Sequence, residues 1–238
     1  MNKKYPLSVF KKSAFTLAET LIVMGIIGVV AALTLPNLNS STGDKEKVIK
    51  LKKIYQNLND AMGRAVAIYG PYSEWTQSND LESIAQKTGE RLTEFMKLSK
   101  NCELTNNSDC FPEKFYINNG EESLAHGSGD PKSYKFITAD GSSLAIAGAG
   151  SGNNTTIYVD IDGINKGSNH SGKDVFGFDI VSDTGEIIPV GDYSNFSMMS
   201  CNCFSNGNID CTSWVIMNEN MDYLKCPSKL SATNTSCK

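Results

Sequence analysis

Residues 160–174, DIDGINKGSNHSGKD, hold the densest run of chemistry-bearing side chains in this sequence. Asp160, Asp162, Asn169 and Asp174 supply hard oxygens within a Gly-rich connection. Calcium takes six to eight such oxygens on a flexible backbone, so the segment is a candidate calcium loop. Its spacing is not that of an EF-hand, which wants D-x-[DN]-x-[DN]-G and a Glu at position twelve. The plain alternative is an acidic, solvated connection between strands, with His170 a surface loop residue. Catalytic patterns are absent. No His lies in a hydrolase motif, and GSGD, GAGSG and DGSS do not match the phosphate loop G-x-x-x-x-G-K-[ST]. The reading is therefore not an enzyme.

Seven cysteines form the second set: Cys102, Cys110, Cys201, Cys203, Cys211, Cys226 and Cys237. None lies in the first 101 residues, and those present sit in Gly/Asn/Ser-rich sequence. That usage suits disulfides in an oxidising compartment. Zinc is the rival, but there is no Cys-x2-Cys pair, and His126 and His170 lie far from the C-terminal cysteines. Cys102 and Cys110 bracket a short polar loop and read as a local staple. An odd count leaves at least one thiol free or paired between chains.

The elements that must position these residues follow from periodicity. Over 44–69, apolar residues recur at Val48, Leu51, Ile54 or Tyr55, Leu58, Met62, Ala65 and Tyr69, the spacing of one helix face. Pro36 and Gly43 ahead of it predict a kink or a melted turn. A second helix is expected over 79–100. From residue 133 the pattern changes to strands, with Asp140-Gly141 as a hairpin turn. The expected fold is α+β: a long N-terminal helix on a small antiparallel sheet, with a Cys-rich C-terminal tail.

The helix begins in unusual sequence. Phe15–Leu35 is a run of 21 residues, apolar but for Thr16, Glu19, Thr20 and Thr34. As a helix it spans roughly 31 Å, enough for a bilayer core. Residues 1–14 carry Lys3, Lys4, Lys11 and Lys12 and no acid, whereas residues 65–238 carry 12 basic and 22 acidic side chains, a net of −10. That acidic body argues against nucleic acid as the main partner. The basic leader places the chain after Pro36 outside the cytoplasm, although Lys45, Lys47, Lys50, Lys52 and Lys53 weaken the asymmetry. Glu19 is the anomaly, because a carboxylate in lipid is costly and needs a positive partner.

The stretch AFTLAETLIVMGIIGVVAALTLP resembles the N-terminus of type IV pilins and type II secretion pseudopilins. The resemblance covers roughly the first 55 residues. It implies a leader over 1–14, a transmembrane and filament-core helix over 15–36, and an extracytoplasmic globular domain over 37–238. It also implies cleavage between Ala14 and Phe15 by a prepilin peptidase, with methylation of Phe15. Family members usually carry Gly before the cut, and here Ala14 stands there. Glu19 would guide assembly by meeting a neighbour's N-terminal amine, and Pro36 would soften the helix. The implied partners are identical or related pilin subunits, the peptidase, inner-membrane assembly machinery and membrane lipid. The implied location is the bacterial inner membrane, then a periplasmic or surface filament. Calcium loops occur in some pseudopilins, which leans toward a secretion pseudopilus, whereas the Cys-rich tail leans toward a surface-exposed type IV pilin, so both stay open. The alternative function is a membrane-anchored binding or enzymatic domain on a pilin-like stalk.

Overall fold

The computed structural model describes residues 16–75, 80–104, 109–112, 114–116, 122–123, 133–148, 154–164, 166–191, 203–204 and 208–238; for 31–42, 115, 122 and 123 it describes the backbone alone. Two compact units are found, Met1–Gly43 and Asp44–Lys238, and each is described by itself. Helix α1 (Leu17–Tyr69) belongs to both. In the first unit every described side chain from Thr16 to Val30 is exposed, including Leu21 at 63% and Met24 at 73%.

In the second unit α1 buries Val48, Leu51, Ile54, Leu58, Ala61, Met62 and Ala65. Their three- and four-residue spacing is the stripe expected from the sequence. Tyr69 departs from it and remains 37% exposed. Short helix α2 (Tyr72–Trp75) and helix α3 (Leu81–Thr93) follow. Asp80 caps α3, its carboxylate accepting from the Glu82 N–H at 3.3 Å. Gly89 does not break α3; a Cβ there would lie 2.2 Å from the Tyr134 ring, so glycine permits the close approach of helix to sheet.

The strands are β1 (Leu98–Glu103), β2 (Phe115–Tyr116), β3 (Glu122–Ser123), β4 (Ser133–Thr138), β5 (Ser143–Ala147), β6 (Thr155–Asp160), β7 (Val175–Ile180) and β8 (Ile187–Pro189). Six of them form one antiparallel sheet in the order β1-β4-β5-β6-β7-β8, and β2 pairs with β3 separately. The expected hairpin turn joins β4 to β5, with Gly141 at φ 85. One sheet face adds Phe136, Leu144, Ile146, Ile157, Val159, Phe176 and Phe178 to the cluster that holds the α1 stripe. The other collects Ala145, Ala147, Tyr158 and Val175 around Phe111. Burial on both faces is why the central strands read as apolar runs. Helix α4 (Cys211–Asn218) and two 3-10 turns, Asp222–Leu224 and Pro227–Lys229, complete the chain.

Helix and antiparallel sheet are thus as expected, with three corrections. The second helix stops at Thr93, and residues 98–103 form an edge strand with register shifts against β4. The backbone is helical through Pro36 and Gly43, so no melted turn occurs among the described residues. The long apolar crossing helix is not found: among the described residues no helix is long and apolar enough to span a membrane. The apolar side chains described run from Leu17 to Val30, only about 21 Å of helix rise.

Three disulfides close short loops: Cys102–Cys110, Cys203–Cys211 and Cys226–Cys237. The first is the staple expected. Cys201 lies outside the described residues.

Two glycines test the packing. Gly89→Ala should destabilise the body by about 1–3 kcal/mol through overpacking against Tyr134. Gly63→Ala, on α1 with open space around it, should stabilise by about 0.5–1 kcal/mol. Urea unfolding of both variants measures this, and the reverse order would show that α3 does not pack as described.

Candidate functional site

Two constellations were expected, and the structure treats them differently. The acidic loop lies between β6 and β7. Asp160 ends β6 fully buried, and its Oδ1 accepts from the backbone N–H groups of Asp162 and Gly163, both at 3.1 Å. Its Oδ2 is buried with no hydrogen-bond partner among the described residues. Asp174 is also fully buried and folds the loop around itself. Its Oδ2 accepts from the Ser168 N–H at 2.6 Å and the Ser168 hydroxyl at 3.2 Å, and its Oδ1 accepts from the His170 N–H. Asp162 turns to α1 instead, where Lys47 Nζ lies 3.0 Å from its Oδ2 and also donates to the Lys173 carbonyl at 3.3 Å. Asn169 adopts φ 50, a conformation Asn tolerates better than most residues, and its carbonyl accepts from Tyr116 N–H at 2.8 Å. His170 is half-buried, with Nδ1 2.8 Å from the Ser168 carbonyl and its ring 5.6 Å from that of Tyr116. His126 lies outside the described residues.

Asp174 and Asp162 are committed to the loop and to Lys47, whereas Asp160 Oδ2 and Asn169 Oδ1 are buried with no hydrogen-bond partner among the described residues. Among the described residues no group of three or more His, Cys, Asp or Glu side chains could hold a metal ion. Calcium takes six to eight oxygens, and the loop brings four candidate side chains, Asp160, Asp162, Asn169 and Asp174, toward that number. Its visible work is structural: Asp174 shapes the loop, and Asp162 with Lys47 straps it to α1.

Burial, reinforced by the charge of Asp174, pushes the Asp160 carboxyl up to about 7. The unfolded chain ionises this group near 3.8, so between those values the folded state binds more protons. Its contribution to stability is full below the lower value and is lost as pH rises through the upper one.

The second constellation is Glu19, in the first turn of α1. Its Oε2 accepts from the Thr16 N–H at 2.9 Å and from the Thr16 hydroxyl at 2.8 Å. In return the Glu19 N–H donates to Thr16 Oγ1 at 3.3 Å. This is a reciprocal capping box, in which two orphan amides of the helix start are satisfied at once. The carboxylate also sits at the positive end of the helix dipole. The signal lies in the sequence as Thr-Leu-Ala-Glu ahead of an apolar run. Ala14 and Phe15 lie outside the described residues. Pro36 lies within α1, with only its backbone described.

No family model, curated protein or solved structure matches this chain. The functional reading rests on its own residues.

Asp160→Asn tests the buried carboxyl, since Asn keeps the acceptor for the two loop amides and cannot ionise. Near pH 4 the variant should match the parent. Near pH 8 it should be more stable, by on the order of a few kcal/mol. Urea unfolding at both pH values measures this, and a pH-independent difference would contradict the burial of an ionisable Asp160.

Proposed function

We propose that this chain is a structural subunit of a pilin-like filament, type IV pilus or type II secretion pseudopilus. It is held in a membrane by its N-terminal helix, cut before Phe15 and polymerised through that helix. The observation that carries the reading is the division of α1. From Leu17 to Val30 its described side chains are apolar apart from Glu19 and Thr20, and all are exposed, whereas from Val48 to Ala65 one stripe is buried in a folded body. An isolated soluble domain gains nothing by exposing Leu21, Ile22, Val23, Ile26 and Ile27 together, so a lipid or a neighbouring helix is the fitting environment. The disulfide-linked tail suits an extracytoplasmic body.

The capping box refines the role of Glu19. In a single chain the carboxylate completes the helix start with Thr16. In an assembly it is available to accept a neighbour's N-terminal amine as well, because a carboxylate offers about four acceptor sites. Capping needs only the acceptor oxygen, whereas attraction to an amine needs the charge.

The variants Glu19→Gln and Thr16→Ala separate these roles. Gln serves in a capping box, so Glu19→Gln should leave the helix start intact yet abolish filaments, with uncut leader absent and subunit accumulating in the membrane. Thr16→Ala keeps the charge and should cost about 1 kcal/mol of local helix stability while filaments persist. Sheared-filament yield, membrane blots and mass spectrometry of the N-terminus report these outcomes. Normal filament yield from Glu19→Gln would leave Glu19 as a helix cap alone, and an N-terminus other than methylated Phe15 would overturn the filament reading.

A further inference from the structure

The second unit carries charge of opposite sign at two separate places. Residues 44–64 hold six basic side chains against three acidic ones, a net of +3, while residues 65–238 have a net of −10. On α1, Lys45, Ile49, Lys52, Lys53 and Gln56 line an open cavity of about 610 Å³. Ile49 is 68% exposed on its wall, although the opposite face of the same helix is buried. Lys45 is exposed, and Lys53 remains 60% exposed despite its 3.4 Å approach to Asp140. Glu219 is the single acid on the cavity, and Lys52 pairs with it. The cavity is therefore apolar at its centre and cationic at its rim.

The complementary surface is on α3. Glu82, Gln86 and Glu90 fall four residues apart, are all exposed, and form one ridge of the helix. Gln86 donates to Glu90 at 2.9 Å and holds the ridge together. Arg91 does not neutralise it, because its guanidinium lies over the rings of Tyr69 and Trp75, at 4.9 and 4.7 Å from their centres. Lys87 is the one other base on α3. These contacts place the C-terminal end of α3 at Tyr69. Along α1 that is 20 residues from Ile49, about 30 Å. One body thus presents a cationic cavity and an anionic ridge far apart.

We propose that copies of this chain pair head to tail, the Glu82–Gln86–Glu90 ridge of one copy seating on the Ile49 cavity and its lysines in the next. Two unlike patches on one body make a heterologous contact, which propagates where its rotation does not close. An anionic lipid surface is the poorer occupant, since a body of net charge −7 is repelled by it. The pairing deepens the filament reading and rests on it for its setting, while its residues all lie within the second unit. Charge complementarity would set which neighbour docks, and in which direction.

The test uses the full chain in the membranes of producing cells, with a photo-crosslinking amino acid at Ile49. The expected product is a dimer whose linked peptide falls within residues 72–94 of the second copy. Glu82→Lys with Glu90→Lys should lower its yield roughly fivefold or more, and adding Lys45→Glu with Lys53→Glu should restore it. Raised salt should weaken the product. Both pairs of positions are at the surface, and thiol mapping of the three disulfides verifies folding. A link to lipid, to a different chain or to another part of the second copy overturns the pairing, as does failure of the four-residue swap to restore it. Filaments that form normally while the link maps elsewhere sink the pairing alone. A link within 72–94 in a chain that is never cut at Phe15 sinks the filament reading and keeps the pairing.

Discussion

Everything in the body depends on one seam, where the apolar stripe of α1 closes over a sheet. Leu51, Ile54 and Leu58 share a core with Phe136, Leu144, Ile157 and Phe178. Each such side chain contributes about 1.5–3 kcal/mol when fully buried. Tyr55 marks the border, its ring stacked at 5.3 Å on Phe178 and its hydroxyl donating to the Ile187 carbonyl at 3.2 Å. The polar flank of the helix is pinned by ion pairs: Lys225 to Asp44 at 2.6 Å, Lys47 to Asp162 at 3.0 Å, and Lys53 to Asp140 at 3.4 Å. Exposed pairs of this kind are individually weak, so they set the docking of the helix more than its stability.

That arrangement bears on the lysines that follow the apolar run. Read along the chain, they blur the charge asymmetry of the two flanks. In the folded body Lys47, Lys52 and Lys53 each meet an acid from a distant segment. Each of the three thus has a partner within the body, which accounts for part of the cationic charge on that side of the run.

What the sequence made legible was what periodicity encodes. The α1 stripe, the Asp140-Gly141 hairpin and the strands from 133 onward follow from spacing and turn chemistry. Strand β1 was missed because LSKNCE has no alternation and pairs through register shifts at a sheet edge. The acidic loop was half legible: residue types announce hard oxygens, but not that Asp174 would spend both of its own on Ser168 and His170. Lys135 gave no sign of being fully buried in β4, since strand burial on both faces depends on what later segments cover. The Thr16–Glu19 box is legible in four residues, Thr-Leu-Ala-Glu ahead of an apolar run.

The disulfides have a consequence for how the chain matures. Six cysteines allow 15 pairings, and this chain uses the one in which every partner is the next described cysteine, eight, eight and eleven residues on. No bridge spans or crosses another. A body that enters an oxidising space in chain order, behind an N-terminal helix held in the membrane, would therefore close each ring as its second thiol emerges, with no dependence on segments still to arrive. Cys201, two residues before Cys203, is the one thiol whose early exposure could divert that order. In such a space maturation would be a series of independent local closures, with its branch point at the entry to the tail.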